Sequence, residues 1–279
     1  MENELQLQPK KKRWIWFFVP IIFLIGFFGL FFFKTTFTVS QVIDWNEDPQ
    51  NLPFPGSLPE KDPDRINILL LGFRGTGQDD TGDLLTDAII LITLKKSTGQ
   101  IGLISIPRDL YVEMPGLDGK KKINFAFAHG GLDFSKKIIS RVSYLYIDYA
   151  AAVNFTAFEE TIDELGGITI YLDKPFEEDF QWAKEGWEEN KYWFKKEIDG
   201  EEKWVFHIPA GQNTLNSETA LYYVRSRFST SDFDRMHRQQ QVLMAVKDKV
   251  LSLGVLTNPI KIYNLLDILG KNIRTNMSL

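Results

Sequence analysis

Apolar positions along the chain fall into three patterns, and each predicts a different element. The first is an unbroken run, Trp14 to Phe33, WIWFFVPIIFLIGFFGLFFF, twenty residues without a charge. As a helix it spans roughly 30 Å, one hydrocarbon core, so a membrane helix is expected over 14–33. Lys10 to Arg13 set four cations before it against the single Lys34 after it. The positive-inside rule therefore puts residues 1–13 in the cytoplasm and everything past Lys34 outside a cell membrane crossed once. A cleaved signal peptide would have a shorter apolar region followed by small residues, and Phe31, Phe32, Phe33 and Lys34 offer no such site. Residues 34–65, with NLPFPGSLPEKDPD, read as an extended extracellular stalk.

The second pattern is the short apolar run of strand length: INILLLG from Ile66, AIILITL after Asp87, IGLISI before Pro107 and Arg108, IDYAAAVN from Ile147, and ITIYLD from Ile168. The third is helical spacing. Leu132 to Val142 has the look of a short helix. FTAFEETIDELGG has apolar residues at 155, 158, 162 and 165, a cap at Asn154 or Thr156, and a stop at Gly166 and Gly167. Asn216 caps SETALYY. Strands alternating with helices predict an α/β domain over 66–279, a central mixed sheet flanked by helices on both faces. Residues 177–205 break the rhythm and read as an excursion. There Trp182, Trp187, Trp193 and Trp204 either pack it onto the domain or dock on sugars or the bilayer. The end, IRTNMSL, reads like the beginning of another element.

Charge narrows the classes. Residues 1–13 hold 4 of the 32 basic and 2 of the 37 acidic residues, so the net −5 becomes −7 outside the membrane. An acidic domain argues against nucleic acid as a partner and makes any basic site local. Cysteine is absent, so no disulfide supports the fold. His129, His207 and His237 are scattered, which excludes a zinc motif or a triad built from them.

The local basic site is Tyr223 to Gln241, YVRSRFSTSDFDRMHRQQQ, with four arginines, two aspartates and three glutamines in nineteen residues. Extended after Val224, the chain would point Arg225 and Arg227 to one side. From about Asp234 it turns helical, with Arg235 and Gln239 on the apolar stripe of Val242, Val246 and Leu253, and Met236, Gln240, Lys247 and Asp248 outside it. Arg235 can pair with Asp232 or Asp234. Two acids cannot neutralise Arg225, Arg227, Arg235 and Arg238, which leaves charge for an anion such as phosphate, whose geometry suits the guanidinium fork. Arg108, just past a strand, is a further candidate, with a salt bridge to Asp109 as the alternative. The glycine-rich FRGTGQDDTGD after the first strand is either a phosphate cradle or a loop without a ligand; it is not a P-loop.

SIPRD at 105–109, KINFAFAHGG at 122–131, VNF to LGGI over 153–168, and AGQNTLNSETALYYVRSR through DFDRMHRQQQ together resemble the LytR-CpsA-Psr family. The likeness covers about 66–251. It implies a membrane-anchored phosphotransferase moving a glycopolymer from a polyprenyl-pyrophosphate carrier onto peptidoglycan. Carried over by position, Arg108, Arg225, Arg227, Arg235 and Gln239 would bind pyrophosphate, Asp87 would position Mg²⁺, and Asp232 with Arg235 would be catalytic. For Asp232 a capping role stands beside the metal or base role. One position departs: many members have an aspartate two residues after the glycine that ends the first strand, and here it is Arg74. Asp79, Asp80 or Asp83 would have to take its place. A non-catalytic binder of lipid-linked glycan and a polyprenyl-pyrophosphate hydrolase are the alternatives.

Overall fold

The computed structural model describes residues 57–75, 81–179 and 189–276. The expected tail, membrane helix and most of the stalk lie outside the described residues, as do Trp182 and Trp187. Among the described residues no helix is long and apolar enough to cross a membrane.

The chain runs through β1 (Arg65–Phe73), β2 (Thr86–Lys95), β3 (Gln100–Ser105), a hairpin of β4 (Tyr111–Glu113) and β5 (Lys120–Lys122), α1 (Phe125–Ser143), β6 (Tyr149–Asn154) and α2 (Phe155–Leu165). It continues as β7 (Ile168–Leu172), β8 (Phe176–Glu178), β9 (Trp193–Ile198), β10 (Glu201–Ile208), β11 (Gly211–Leu215), α3 (Ser217–Arg225), α4 (Asp232–Val250), α5 (Leu253–Leu256), α6 (Pro259–Asn272) and β12 (Ile273–Thr275). Five strands form the central sheet in the order β12-β6-β1-β2-β3, with β1 parallel to β6 and the other pairs antiparallel. The sheet is mixed, as the strand and helix alternation implied. The final segment supplies its edge strand.

Period-two alternation gives this sheet two different faces. Leu69, Leu71 and Phe73 of β1, Ile89 and Leu91 of β2, and Ala150 and Ala152 of β6 are buried against Phe127, Phe134 and Ile138 of α1. On the opposite face Leu70, Gly72, Ala88, Ile90 and Val153 line a cavity completed by α2, α3, α4 and α6. Helix α1 begins seven residues before the expected Leu132, because two helical pieces join across Gly130 and Gly131, whose backbone is not helical. A Cβ on Gly130 would lie 2.5 Å from the Phe134 Cβ.

Two expectations need correction. Strand β7 does not rejoin the central sheet; it pairs with β11 in a separate two-stranded ribbon. Nor is 177–205 merely an excursion: β8, β10 and β9 form a three-stranded antiparallel sheet, and Trp193 and Phe206 fill a second core with Ile162, Ile168, Tyr223 and Val242. Its aromatic residues hid a strand period because their partners come from α2, α3 and α4. At the α2 exit, Gly166 and Gly167 both have positive φ, and a Cβ on Gly167 would lie 2.9 Å from the Leu215 carbonyl oxygen. Gly167→Ala is accordingly expected to destabilise by about 1–3 kcal/mol, read as a lower midpoint in thermal unfolding.

Candidate functional site

The cavity holds about 400 Å³, and its chemistry is divided. Its mouth lies at the edge where β1 and β6 end, β2 begins and β3 runs out toward Arg108. Arg74, Asp87, Arg108, Arg225, Arg227, Arg235 and Gln239 line it there. Behind them the walls are apolar: Leu70 and Ile90 from the sheet, Phe158 and Ile162 from α2, Leu221 and Val224 from α3, Val242 and Val246 from α4. Every site residue expected from sequence is brought to this mouth except Asp232, which enters through its ion pair with Arg235 at 2.5 Å. Val242, from the apolar stripe of α4, lines this wall and also packs in the second core.

Local structure aims each group. The β1–β2 register shifts so that Gly72 pairs with Ala88 and Phe73 with Thr86, leaving Asp87 as the extra residue of a bulge. Regular alternation would turn Asp87 toward α1; the bulge turns it into the cavity, beside Ala88. Gly72 permits this close approach, since a Cβ there would lie 3.1 Å from that of Ala88. Asp87 accepts a hydrogen bond from Arg108. Asp109, the other neighbour considered for Arg108, sits 3.6 Å from its Nε and is bonded to Lys122 at 2.6 Å. Arg225 ends α3 rather than lying in an extended segment, and its guanidinium stacks 4.8 Å over the Phe155 ring. Extension begins at Ser226, so Arg225 and Arg227 reach the same cavity from a helix end and a loop.

Helix α4 starts at Asp232, two residues earlier than expected. Its N-cap is Ser231, which closes a capping box with Asp234 and so frees Asp232 from that role. Arg235 is 3% exposed, and neither its Nε nor the Nε of Arg108 has a hydrogen-bond partner among the described residues. Burial, then the nearby Arg108, pulls the Arg235 guanidinium below its usual pKa, although Asp232 and Asp87 oppose the shift. Arg225 is lowered by burial as well, with Arg74 adding to it and Asp87 opposing. Cations held this close in a partly dry site are poised for an anion.

Of the four α4 residues outside the stripe, Lys247 and Asp248 do face solvent, whereas Met236 and Gln240 do not. Met236 is 8% exposed, and Gln240 donates to Ser105 Oγ at 2.9 Å. Successive glutamines point about 100° apart. Gln239 faces the cavity, Gln240 ties α4 to β3, and Gln241 donates to the Tyr171 carbonyl while accepting from Tyr223, whose hydroxyl burial pushes up to about 12. Arg238 is not a ligand arginine. It is 5% exposed, donates to the Tyr223 and Ser226 carbonyls, and stacks 4.8 Å over Phe176, so it clamps the end of α3.

The Mg²⁺ expected at Asp87 meets a poor donor set. Asp87 is bonded to Arg108, Asp232 to Arg235, and Arg74 brings a cation to the mouth. Asp83 is buried in the turn Thr81–Leu84, its carbonyl accepting from the Gly75 N–H. Among the described residues no group of three or more acidic or histidine side chains could hold a metal ion, and because Mg²⁺ at a phosphate site needs one or two available carboxylates, the ion-paired Asp87 and Asp232 fit it poorly. Asp79 and Asp80 lie outside the described residues.

Glu178 is the functional residue that sequence reasoning missed. It is 1% exposed at the end of β8, and it accepts from the backbone N–H groups of Arg227, Phe228 and Ser229 and from Ser229 Oγ. One carboxylate thus fixes the loop that carries Arg227 into the cavity. The only sequence signal was the second of two glutamates after Phe176, in a segment without period. Glu178→Gln replaces an acceptor by an amide that also donates, and is expected to weaken anion binding about tenfold. In an Arg227→Ala background the same change should cost little further affinity, which titration of both variants and the double variant checks.

Residues 31–279 match the model of the LytR_cpsA_psr family. The chain is 34% identical over 221 residues to the polyisoprenyl-teichoic acid--peptidoglycan teichoic acid transferase TagT of Bacillus subtilis (strain 168), covering 77% of this chain and 61% of that relative's length. With TagU of Bacillus cereus (strain ATCC 14579) it shares 29% identity over 275 residues, 96% of this chain and 80% of that one. A solved structure of TagT bound to LI-WTA superposes with a TM-score of 0.56 at 30% identity, covering 80% of this chain and 74% of that chain. The motifs, the order of elements and the match over most of the sequence agree, and the chain belongs to the LytR_cpsA_psr family.

Proposed function

We propose that this chain is a membrane-anchored phosphotransferase that moves a glycopolymer from a polyprenyl-pyrophosphate carrier onto a hydroxyl of peptidoglycan. The observation that carries the reading is the division of one cavity into an arginine-lined mouth and an apolar interior. A pyrophosphate bound by Arg108, Arg225, Arg227, Arg235 and Gln239 would leave the prenyl chain to enter between α2, α4 and the sheet. The relatives' names, which specify a polyisoprenyl-linked polymer and peptidoglycan, support the same substrate classes. The anchor over 14–33 would hold the domain at the outer face of the bilayer, where such a lipid presents its head group.

Phosphoryl transfer is promoted chiefly by positioning and electrostatic stabilisation, and both lie within reach of this chain's residues. The acceptor hydroxyl oxygen attacks the phosphorus that bears the glycan. The bond from that phosphorus to the bridging oxygen breaks, and polyprenyl monophosphate departs. The hydroxyl proton passes to Asp232, whose side chain is 35% exposed and held by Arg235. The arginines neutralise charge building on the bridging and non-bridging oxygens, and Arg235, buried and lacking a partner at Nε, gains most from that charge. No step is routed through a divalent ion. Incubating the full chain in detergent with lipid-linked oligosaccharide and peptidoglycan fragments tests the reading. Glycan attached to peptidoglycan is expected; free glycan phosphate would favour a hydrolase, and binding without either product would leave only a binder.

A further inference from the structure

Arg74 has no place in the pyrophosphate set expected from sequence, yet it stands at the cavity mouth where β1 leaves the sheet. Its backbone is fixed: its carbonyl accepts from the Phe155 N–H at 3.3 Å. The next residue, Gly75, has φ of 64° and sits so near Asn154 that a Cβ would lie 2.6 Å from the Asn154 Cβ. The chain therefore leaves β1 on one path against the start of α2. The side chain is exposed and makes no ion pair among the described residues.

We propose that Arg74 binds the pyrophosphate in the place a divalent cation would otherwise fill, and that this site holds its ligand without a metal ion. The inference rests on the reading above that the anion is a prenyl-linked pyrophosphate. Charge balance supports it. Five arginines line the described part of the mouth; Asp87 is bonded to Arg108 and Asp232 to Arg235. Asp109 is shared between Arg108 and Lys122, and so adds little. Among the described lining residues arginines outnumber carboxylates, so a divalent cation would add to the cations that already face the two negative charges of a disubstituted pyrophosphate. Geometry agrees. The carboxylate an ion would need, Asp87, is spent on Arg108; a metal would have to strip that bond and leave Arg108, already without a partner at Nε, less satisfied still. A guanidinium fork supplies charge and two directed donors at the same oxygens, with no ligand shell to assemble.

The test is calorimetric titration of the full chain in detergent micelles with a geranyl-pyrophosphate-linked sugar, a disubstituted pyrophosphate, in EDTA and again in Mg²⁺. Affinity in EDTA is expected within about twofold of that in Mg²⁺, and Arg74→Ala should weaken binding about tenfold in both, the loss of one charge-assisted hydrogen bond. Arg74→Asp should bind poorly in EDTA and recover in Mg²⁺, because it restores a carboxylate pair with Asp87; thermal unfolding of each variant confirms that it is folded. Wild-type binding that disappears in EDTA and returns with Mg²⁺ would overturn the inference, as would an Arg74→Ala variant that binds like wild type, or an Arg74→Asp variant that Mg²⁺ does not rescue. Absence of wild-type binding under both conditions would overturn the pyrophosphate reading itself, a different failure.

Discussion

Replacing Arg235 with methionine is expected to lower glycan transfer by about a hundredfold or more while leaving the protein as stable as before, or more so. The two halves have one cause. Arg235 is 3% exposed, lies near Arg108, and is held by one carboxylate. Its charge was removed from water for a net return that a well-packed apolar side chain of similar length can equal. Asp232, 35% exposed, can be solvated once its partner is gone. The same guanidinium, with an Nε that no described residue satisfies, has donors to give to charge that appears only on the reacting phosphate. Arg235→Lys keeps the charge and loses the fork, and about tenfold loss is expected for it. Transfer rates and thermal unfolding of the two variants, measured side by side, check the claim. A methionine variant that loses stability in proportion to activity would mean that Arg235 is structural.

The second large effect concerns the lipid. Val246 lines the interior of the cavity from α4, and Val246→Trp would fill part of its volume of about 400 Å³. Shutting two or three methylenes out of an apolar site costs about 2 kcal/mol, or about thirtyfold in affinity. Donors with long prenyl chains should therefore lose transfer by about that factor, whereas inorganic pyrophosphate, which needs only the mouth, should bind as before. The overpacked helix is expected to lose about 1–3 kcal/mol of stability, so the comparison belongs at a temperature where both proteins are folded. Equal loss for short and long donors would show that the chain lies elsewhere.

Much of this molecule was legible without coordinates. Strands at 66–72 and 88–94 announced themselves because central strands covered on both faces need continuous apolar residues, and 101–106 showed the same run although Ile101 and Ile104 of this edge strand are exposed. Helix α2 could be read from end to end, from its Asn154 cap to Gly166 with φ of 73°, because caps and stops are local chemistry. The density of arginines over 223–241 was enough to indicate an anion. Less legible was 177–205, where Trp193, with Phe206 just beyond, is buried by residues from α2, α3 and α4 and carries no period of its own. Arg238 was counted with the other cations of its segment, and its separate role could not be read there. One guanidinium looks like another in a sequence, and only the carbonyls of Tyr223 and Ser226 show that this one is structural.

The sequence by itself thus determined which residues could do chemistry, where the local elements start and stop, and that charge in the domain is acidic except at one place. The tertiary structure decided which of those residues meet. Asp87 reaches the cavity through a bulge visible only in the pairing of β1 with β2, and Arg227 is held by Glu178, 49 residues away. Arg74 joins the other arginines because β1 and β6 end side by side. Spacing along a chain fixes neighbours within a few residues, through helix and strand periods. Contacts over tens of residues depend on how faces pack and pair, and that is where this site is made.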